Sequence, residues 1–375
     1  MKSTWPTKKL GEIAEIYSGG RSGITKKDYV ERGFPAFSAA GQDGFTKEAY
    51  DSGFAVILSS IGSRCGKCFY AEGEWTALAN TQIIKFENPV TAKFMYYYLN
   101  DENKWPKTGT GQPFISPSFV KNLIVPLPPL PIQQKIVKIL DTVQSAVEIH
   151  DKIIEKTKEL KKSLMAELFK YGGPSFRKGR KLKETEIGEI PEDWEVVRLG
   201  EVCKIYQPKT ITLKEISESG PYKVYGANGV IGYFTKYNHE ESEVLVTCRG
   251  STCGTINLSE PKSWITGNAM VVHPISKDLF KMFLYYLLLN LDLSEVISGS
   301  GQPQITIRSL SPFKIPLPTL PEQQEIAEIL QTIDQKIEIE QKKKELYEEL
   351  FKTLLNKIMN QEIDVDSLDL SELEN

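Results

Sequence analysis

The stretch Thr108-Gly-Thr-Gly-Gln-Pro-Phe-Ile115 returns as Ser298-Gly-Ser-Gly-Gln-Pro-Gln-Ile305. Each copy runs on into a proline-rich segment, Val125-Pro-Leu-Pro-Pro-Leu-Pro-Ile-Gln-Gln134 in the first and Ile315-Pro-Leu-Pro-Thr-Leu-Pro-Glu-Gln-Gln324 in the second. Roughly half of this window is identical, so the chain is a tandem duplication with a period of about 190 residues. Working outward, the segment Trp5 to Tyr17 matches Trp194 to Tyr206, and Phe37-Ser-Ala-Ala-Gly41 matches Tyr225-Gly-Ala-Asn-Gly229. Gly62, Ser63, Cys65 and Gly66 match Gly250, Ser251, Cys253 and Gly254, and Asn80 matches Asn268. Only two copies are present, which excludes a solenoid, because stacked repeats need at least three to bury a continuous core.

The pattern within each copy changes at the prolines. Upstream, short apolar runs at Phe54 to Leu58, Thr81 to Phe86, Val244 to Thr247 and Ala269 to Val272 lie between Gly and Asn turns and predict strands. Phe94 to Leu99 and Phe283 to Leu289 predict buried helices, so each globular copy is mixed α/β. Downstream, Pro131 and Pro321 suit a first helical turn, whose N–H groups have no intrahelical partner to lose. From there Ile132, Ile136, Ile139, Val143, Ala146, His150, Ile153, Thr157, Leu160 and Leu164 follow at spacings of four and three. Ile326, Ile329, Ile333, Ile337, Tyr347, Phe351, Leu354 and Ile358 do the same, with a polar interruption at Glu340 and Lys344. Each helix should run about 40 residues, roughly 60 Å. One apolar stripe on a helix that long needs a partner, and the other helix is the nearest. Gly172-Gly173-Pro174 ends the first helix, so an antiparallel pair is expected, with the globular copies at opposite ends of a rod.

The chain has 375 residues, enough for two to three domains, and a formal net charge of −3. With a pI near 5.9 it does not coat DNA unaided, since phosphate neutralisation needs clustered Lys and Arg. Basic residues do gather from Lys152 to Lys183 and carboxylates from Glu338 to Glu349 and Glu362 to Glu374, patterns that solvated helix faces also explain. Five cysteines make no disulfide framework. The first twenty residues hold no signal-like run, and the apolar stretch from Phe283 to Leu293 is too short for a bilayer, so a cytoplasmic protein with no membrane partner is expected. Catalytic signatures are missing too: there is no Asp/Asn-Pro-Pro-aromatic tetrapeptide, phosphate-binding loop or Gly-x-Ser-x-Gly elbow.

The run Thr185-Glu-Ile-Gly-Glu-Ile-Pro-Glu-Asp-Trp-Glu-Val-Val-Arg-Leu-Gly-Glu201, the paired Gly-Gln-Pro segments and the paired proline-rich helix openings resemble the specificity subunits of type I restriction-modification systems. The resemblance extends to about Asn360; the first copy departs from it by starting at Trp5 with no Ile-Gly-Glu-Ile-Pro lead-in. It implies two pseudo-symmetric α/β target recognition domains, each reading one half of a bipartite, asymmetric duplex DNA sequence, separated by two long antiparallel coiled-coil helices. The division is then 1–130 and 191–320 for the recognition domains, 131–172 and 321–361 for the helices, 173–190 for the linker and 362–375 for an acidic tail. The implied partners are methyltransferase subunits, two of them, docking on the helices with Gln133, Gln134, Gln323 and Gln324 as candidate contacts, and restriction-translocation subunits. No cofactor and no catalytic residue is implied. A two-fold protein of this kind docks readers on half-sites whole turns of duplex apart, about 34–36 Å per turn.

Base edges are read by Arg on guanine, Asn or Gln on adenine, and small hydroxyls on either. Three loop pairs offer these groups: Gly62 to Lys67 with Arg249 to Thr255, Gly109 to Pro113 with Gly299 to Gln304, and Ala39 to Gln42 with Tyr225 to Gly229. The candidates are Gln42, Ser63, Arg64, Lys67 and Gln112 in the first copy, and Tyr225, Asn228, Arg249, Ser251, Thr252, Gln302 and Gln304 in the second. Their glycines also serve simply to shape turns. The Gly-Gln-Pro pair, being similar in both copies, does not by itself discriminate two half-sites; contact with phosphate, the methyltransferase or the neighbouring helix are its alternatives. Arg64 against Thr252 and Ile61 against Arg249 differ between copies, so the two half-sites should differ. Cys65-Gly-Lys-Cys68 has the spacing of zinc ligands, but Cys65 and Cys253 occupy equivalent repeat positions, and small buried residues beside strands account for them; no metal site is expected. His150 falls on the helix seam, where a polar residue fixes register.

Overall fold

A computed structural model describes residues 5–108, 112–227, 229–299 and 301–369. The chain divides into two compact units, Met1–Asp151 with Lys342–Asn375, and Lys152–Gln341. Each unit contains one α/β domain and one half of each long helix.

In the first unit a four-stranded antiparallel sheet runs in the order Glu15–Ser18, Thr81–Phe86, Phe54–Ser59, Cys68–Ala71. A second sheet carries Gly41–Thr46, Phe34–Ser38, Glu74–Ala77 and Asp51–Ser52, with the middle pair parallel. Alternation along Phe54–Ser59 sends Val56 and Leu58 toward the helix Pro89–Leu99, where they meet Phe94 and Met95. Ala55 and Ile57 join Phe37 and Trp75 on the other face. The strand is covered on both faces, which is why it reads as an unbroken apolar run instead of an alternating one.

The second unit repeats this plan. Its sheet has the order Cys203–Tyr206, Ala269–Pro274, Val244–Thr247, Ile256–Leu258. Val244 and Val246 face the helix Lys281–Asn290, whereas Leu245 faces Tyr225 and Ile265. The smaller sheet holds Gly229–Phe234, Tyr222–Gly226 and Trp264–Ile265.

The long helices span Leu130–Tyr171 and Leu320–Met359, with Pro131 and Pro321 in their first turns. Gly172, at φ +84°, ends the first one in the left-handed conformation that glycine adopts without steric cost. Within the first unit Lys135 Nζ donates to the Asp366 carbonyl at 2.6 Å while Lys344 pairs with Asp151 at 2.7 Å, so the helix halves run antiparallel. The second unit agrees: Lys161 pairs with Asp334 at 2.5 Å, and the Gly173 N–H donates to Glu322 at 3.0 Å.

The seam of the first helix follows the expected one through Ile136, Ile139 and Val143, all buried, and then shifts by one residue. Leu140, Val147 and Ile154 are buried, whereas Leu160 is 53% exposed. Adjacent apolar pairs such as Ile139-Leu140, Ala146-Val147 and Ile153-Ile154 offer two parallel stripes one residue apart. Ile139 and Leu140 are both buried, and beyond them Val147 and Ile154 are the buried members of their pairs. The polar interruption of the second helix is not solvated: Glu340 is 2% exposed and pairs with Lys336 at 2.7 Å. No helix among the described residues is long and apolar enough to cross a membrane.

Candidate nucleic-acid interface

In the first unit, loops far apart in sequence are tied at their bases by main-chain hydrogen bonds. The Gly62 N–H donates to the Pro113 carbonyl at 3.0 Å, the Ile115 N–H to Ser60 at 2.9 Å, the Ser60 N–H to Asn80 at 2.9 Å and the Leu78 N–H to Phe37 at 2.8 Å. The second unit repeats every bond. Gly250 donates to Pro303 at 3.1 Å, Ile305 to Cys248 at 3.0 Å, Cys248 to Asn268 at 3.1 Å and Thr266 to Tyr225 at 2.9 Å. Gly62 and Gly250, at φ +99° and +90°, make the turn that starts each loop. Main-chain ties do not depend on side-chain identity, so this frame keeps its shape while the side chains on it diverge.

Among the first-unit candidates, Gln42, Ser63, Arg64, Lys67 and Gln112 are exposed. Ser63, Arg64 and Gln112 line one cleft of about 510 Å³; Gln42 and Lys67 lie outside its lining. Arg64 Nη1 donates to the Ala40 carbonyl at 3.1 Å and thereby joins the 39–42 loop to the 62–67 loop. Thr25, Lys26 and Asn80 also line the cleft, and the sequence reading gave them no role. Asn80 was visible as a repeat position and takes φ +68°, but nothing in the repeat marked Thr25 or Lys26. Lys26 pairs with Asp43, which also accepts from Tyr29 and Ser38 at 2.7 Å each. Burial alone would raise the Asp43 carboxyl, but these three donors outweigh it and hold it below the usual carboxylate range.

In the second unit Arg249, Ser251, Gln302 and Gln304 are exposed and Thr252 is half-buried. Arg249 and Gln304 face each other in an antiparallel bridge, which puts the two loops side by side. Asn228, along with Gly109, Thr110 and Gly111 of the first Gly-Gln-Pro segment and the end of the acidic tail, lies outside the described residues.

Three candidates are corrected by their surroundings. Tyr225 is 5% exposed, and its hydroxyl accepts from the Glu260 N–H at 3.1 Å; it supports its loop from inside and does not face outward. Gln133 and Gln323, 3% and 0% exposed, point inward as well. Their Nε2 groups donate to the Pro128 and Pro318 carbonyls at 2.7 and 2.8 Å, locking each proline-rich segment onto the helix it opens. Gln323, whose amide also bonds to Asp278 and Phe280, is therefore closed to partner contact, while Gln134 and Gln324 are exposed.

The Cys65 and Cys68 thiols donate to different carbonyls, Ser60 at 3.3 Å and Leu99 at 3.4 Å. Burial pushes both thiols up, which disfavours the thiolate that binds metal. No group of three or more His, Cys, Asp or Glu among the described residues is placed to hold a metal ion.

A mixed α/β domain used twice, each copy followed by a long helix and carrying a loop cluster on the same main-chain frame, defines a duplicated α/β-plus-helix protein. The sequence profile described as the type I restriction modification DNA specificity domain matches residues 2–159 and 191–349, and the chain belongs to that family, the specificity subunits of type I restriction-modification systems. It is 29% identical over 405 residues to the type I restriction enzyme MjaVIII specificity subunit of Methanocaldococcus jannaschii, covering 97% of this chain and 94% of that one. The MjaX specificity subunit of the same organism, described as putative, is 28% identical over 96% of this chain and 94% of its own length. Among solved structures, the S subunit of a type I system from M. genitalium shares the fold with a TM-score of 0.66 at 19% identity, covering 94% of this chain and 96% of that one.

Proposed function

We propose that each loop cluster reads one half of a bipartite, asymmetric duplex DNA target. Residues 1–130 and 191–320 act as the two target recognition domains, and the helices in 131–172 and 321–361 set the half-site spacing. One observation carries this reading: equivalent main-chain bonds hold unlike side chains in the two units, Ile61 against Arg249, Arg64 against Thr252 and Phe114 against Gln304. A shared frame with divergent tips is what two different half-sites require. Two methyltransferase subunits dock on the helices, with Gln134 and Gln324 on the accessible side of the first turns, and restriction-translocation subunits complete the endonuclease. The chain itself is non-catalytic, and chemistry comes from these partners.

The test is modified-adenine mapping by long-read sequencing of the source genome with and without the gene. A two-part motif that disappears on deletion supports the reading. A motif unchanged by deletion, or a one-part motif, overturns it. In a gel shift with the methyltransferase present, binding to target duplex should fall steeply with added salt.

A further inference from the structure

Gln133 and Gln323 are repeat equivalents, yet their amides are not equally satisfied. In the second unit Gln323 completes a full set: besides Pro318, Nε2 donates to the Asp278 carbonyl at 2.7 Å, and Oε1 accepts from the Phe280 N–H at 2.8 Å. The amide thus pairs with the carbonyl of one residue and the N–H two residues on, as a neighbouring strand would, and Leu279 between them is 5% exposed in the core. In the first unit Gln133 makes only the Pro128 bond among the described residues, and its Oε1 is buried without a partner. An orphaned buried carbonyl of this kind costs about 1–3 kcal/mol.

The cause lies in the connection from sheet to helix. In the second unit Ile275 to Phe280 link the strand Ala269–Pro274 to the helix Lys281–Asn290, and that segment supplies the partners of Gln323. In the first unit only Glu87 and Asn88 separate Thr81–Phe86 from Pro89–Leu99. Asn88 Oδ1 caps its own helix by accepting from Val90 and Thr91, and Pro89 has no N–H to give. What remains is an open cleft of about 1270 Å³ whose lining includes Gln133, Leu130 and Phe54, with Glu12, Glu15 and Glu87 outnumbering Lys85, the one cation among the described residues of its lining.

We infer that this cleft is a peptide-docking site that takes in trans what the second unit supplies in cis. The occupant is an extended segment of the modification subunit: one aliphatic residue lying between a carbonyl that accepts from Gln133 and an N–H that donates to it, with a lysine or arginine against the acidic rim. The choice of partner rests on the function proposed above. The chemistry of the segment rests on the internal copy, because the same glutamine, in the same first helical turn, is completed there by Asp278, Leu279 and Phe280.

The experiment places the photo-crosslinker benzoylphenylalanine at Leu130, 39% exposed on the cleft lining, in the full chain copurified with its modification subunit. The expected adduct maps to an extended segment of that subunit carrying an aliphatic residue beside a basic one. Adducts confined to residues 1–4 of the chain or to a second copy overturn the proposal. Two further variants measure affinity. The exposed double change Glu12→Lys and Glu87→Lys leaves the core alone, and replacing Glu87-Asn88 by the Ile275–Phe280 connection fills the cleft in cis. Each should weaken binding of the modification subunit about tenfold or more. If the wild-type chain binds that subunit and both variants bind it equally well, the cleft is overturned and the function stands. A wild-type chain that binds no modification subunit overturns both.

Discussion

The imidazole of His150 stacks on the phenol ring of Tyr347, with centroids 5.4 Å apart and planes inclined by 21°. The pair lies in the first unit where the first long helix meets the returning second helix, next to the Lys344–Asp151 ion pair. It adds an aromatic contact beside that ion pair on a stretch where Ile149, Leu346 and Leu350 are exposed. A double-mutant cycle with His150→Ala and Tyr347→Ala should return a coupling of about 0.5–1.5 kcal/mol in chemical denaturation. Additive losses would mean that the rings touch without contributing.

Arg249 stands exposed beside Gln304 on a loop whose base is closed by the Gly250–Pro303 bond. Its replacement by alanine leaves that main-chain bond in place, so the fold should persist while recognition changes. The expected outcome is relaxed preference at one base pair of one half-site, by about 1–3 kcal/mol, with the other half unaltered. Arg64→Ala should relax the other half only. Methylation-motif sequencing reads both, and an unchanged motif in either variant removes that arginine from the reading set.

Much of this architecture could be read from residues alone. The duplication, the two-faced strands around Phe54 and Val244 and the proline-opened helices all follow from local pattern, because burial on both faces and proline geometry leave direct marks on sequence. The helix seam was less legible. Ala146-Val147 and Ile153-Ile154 make two stripes that only tertiary contacts separate. The roles of Gln133 and Gln323 were hidden for a related reason. A polar pair at a helix start reads as exposed, and only the fold shows the Pro128 and Pro318 carbonyls that draw one member inward. Thr25 and Lys26 reached the first-unit cleft without any mark in the repeat, since contact between distant loops leaves no periodic signal.

Glu322 illustrates a divergence between the copies with a large energetic consequence. The residue before Gln133 is Ile132, whereas the residue before Gln323 is a fully buried carboxylate. Glu322 accepts from Arg180, from Trp194 Nε1 at 3.0 Å and from the Gly173 N–H at 3.0 Å. It therefore clamps the segment that follows the first helix. Glu322→Ala strands the 8%-exposed Arg180 charge, which keeps only Asp193 at 2.6 Å, and should destabilise the protein by about 3–5 kcal/mol in urea denaturation. A loss below about 1 kcal/mol would show the pair to be worth no more than a surface contact.

The second unit should also carry an acid-sensitive contact at His239. The imidazole is held between the Tyr206 hydroxyl, 2.9 Å from Nε2, and Asn238 Oδ1, 2.6 Å from Nδ1, with its ring stacked on Tyr206. Burial, helped by the nearby His273, lowers its pKa from the ordinary 6.5, and the Glu243 carboxylate opposes the shift without cancelling it. The sign follows from proton counting. Below pH 6.5 the unfolded chain takes up a proton that the folded imidazole still refuses, so the unfolded state binds more protons and stability falls as pH drops. The urea midpoint should therefore decline between about pH 8 and pH 5. His239→Phe keeps an aromatic ring against Tyr206 but cannot titrate, so its midpoint should decline less over the same range. An identical decline in the variant would assign the acid sensitivity to other groups.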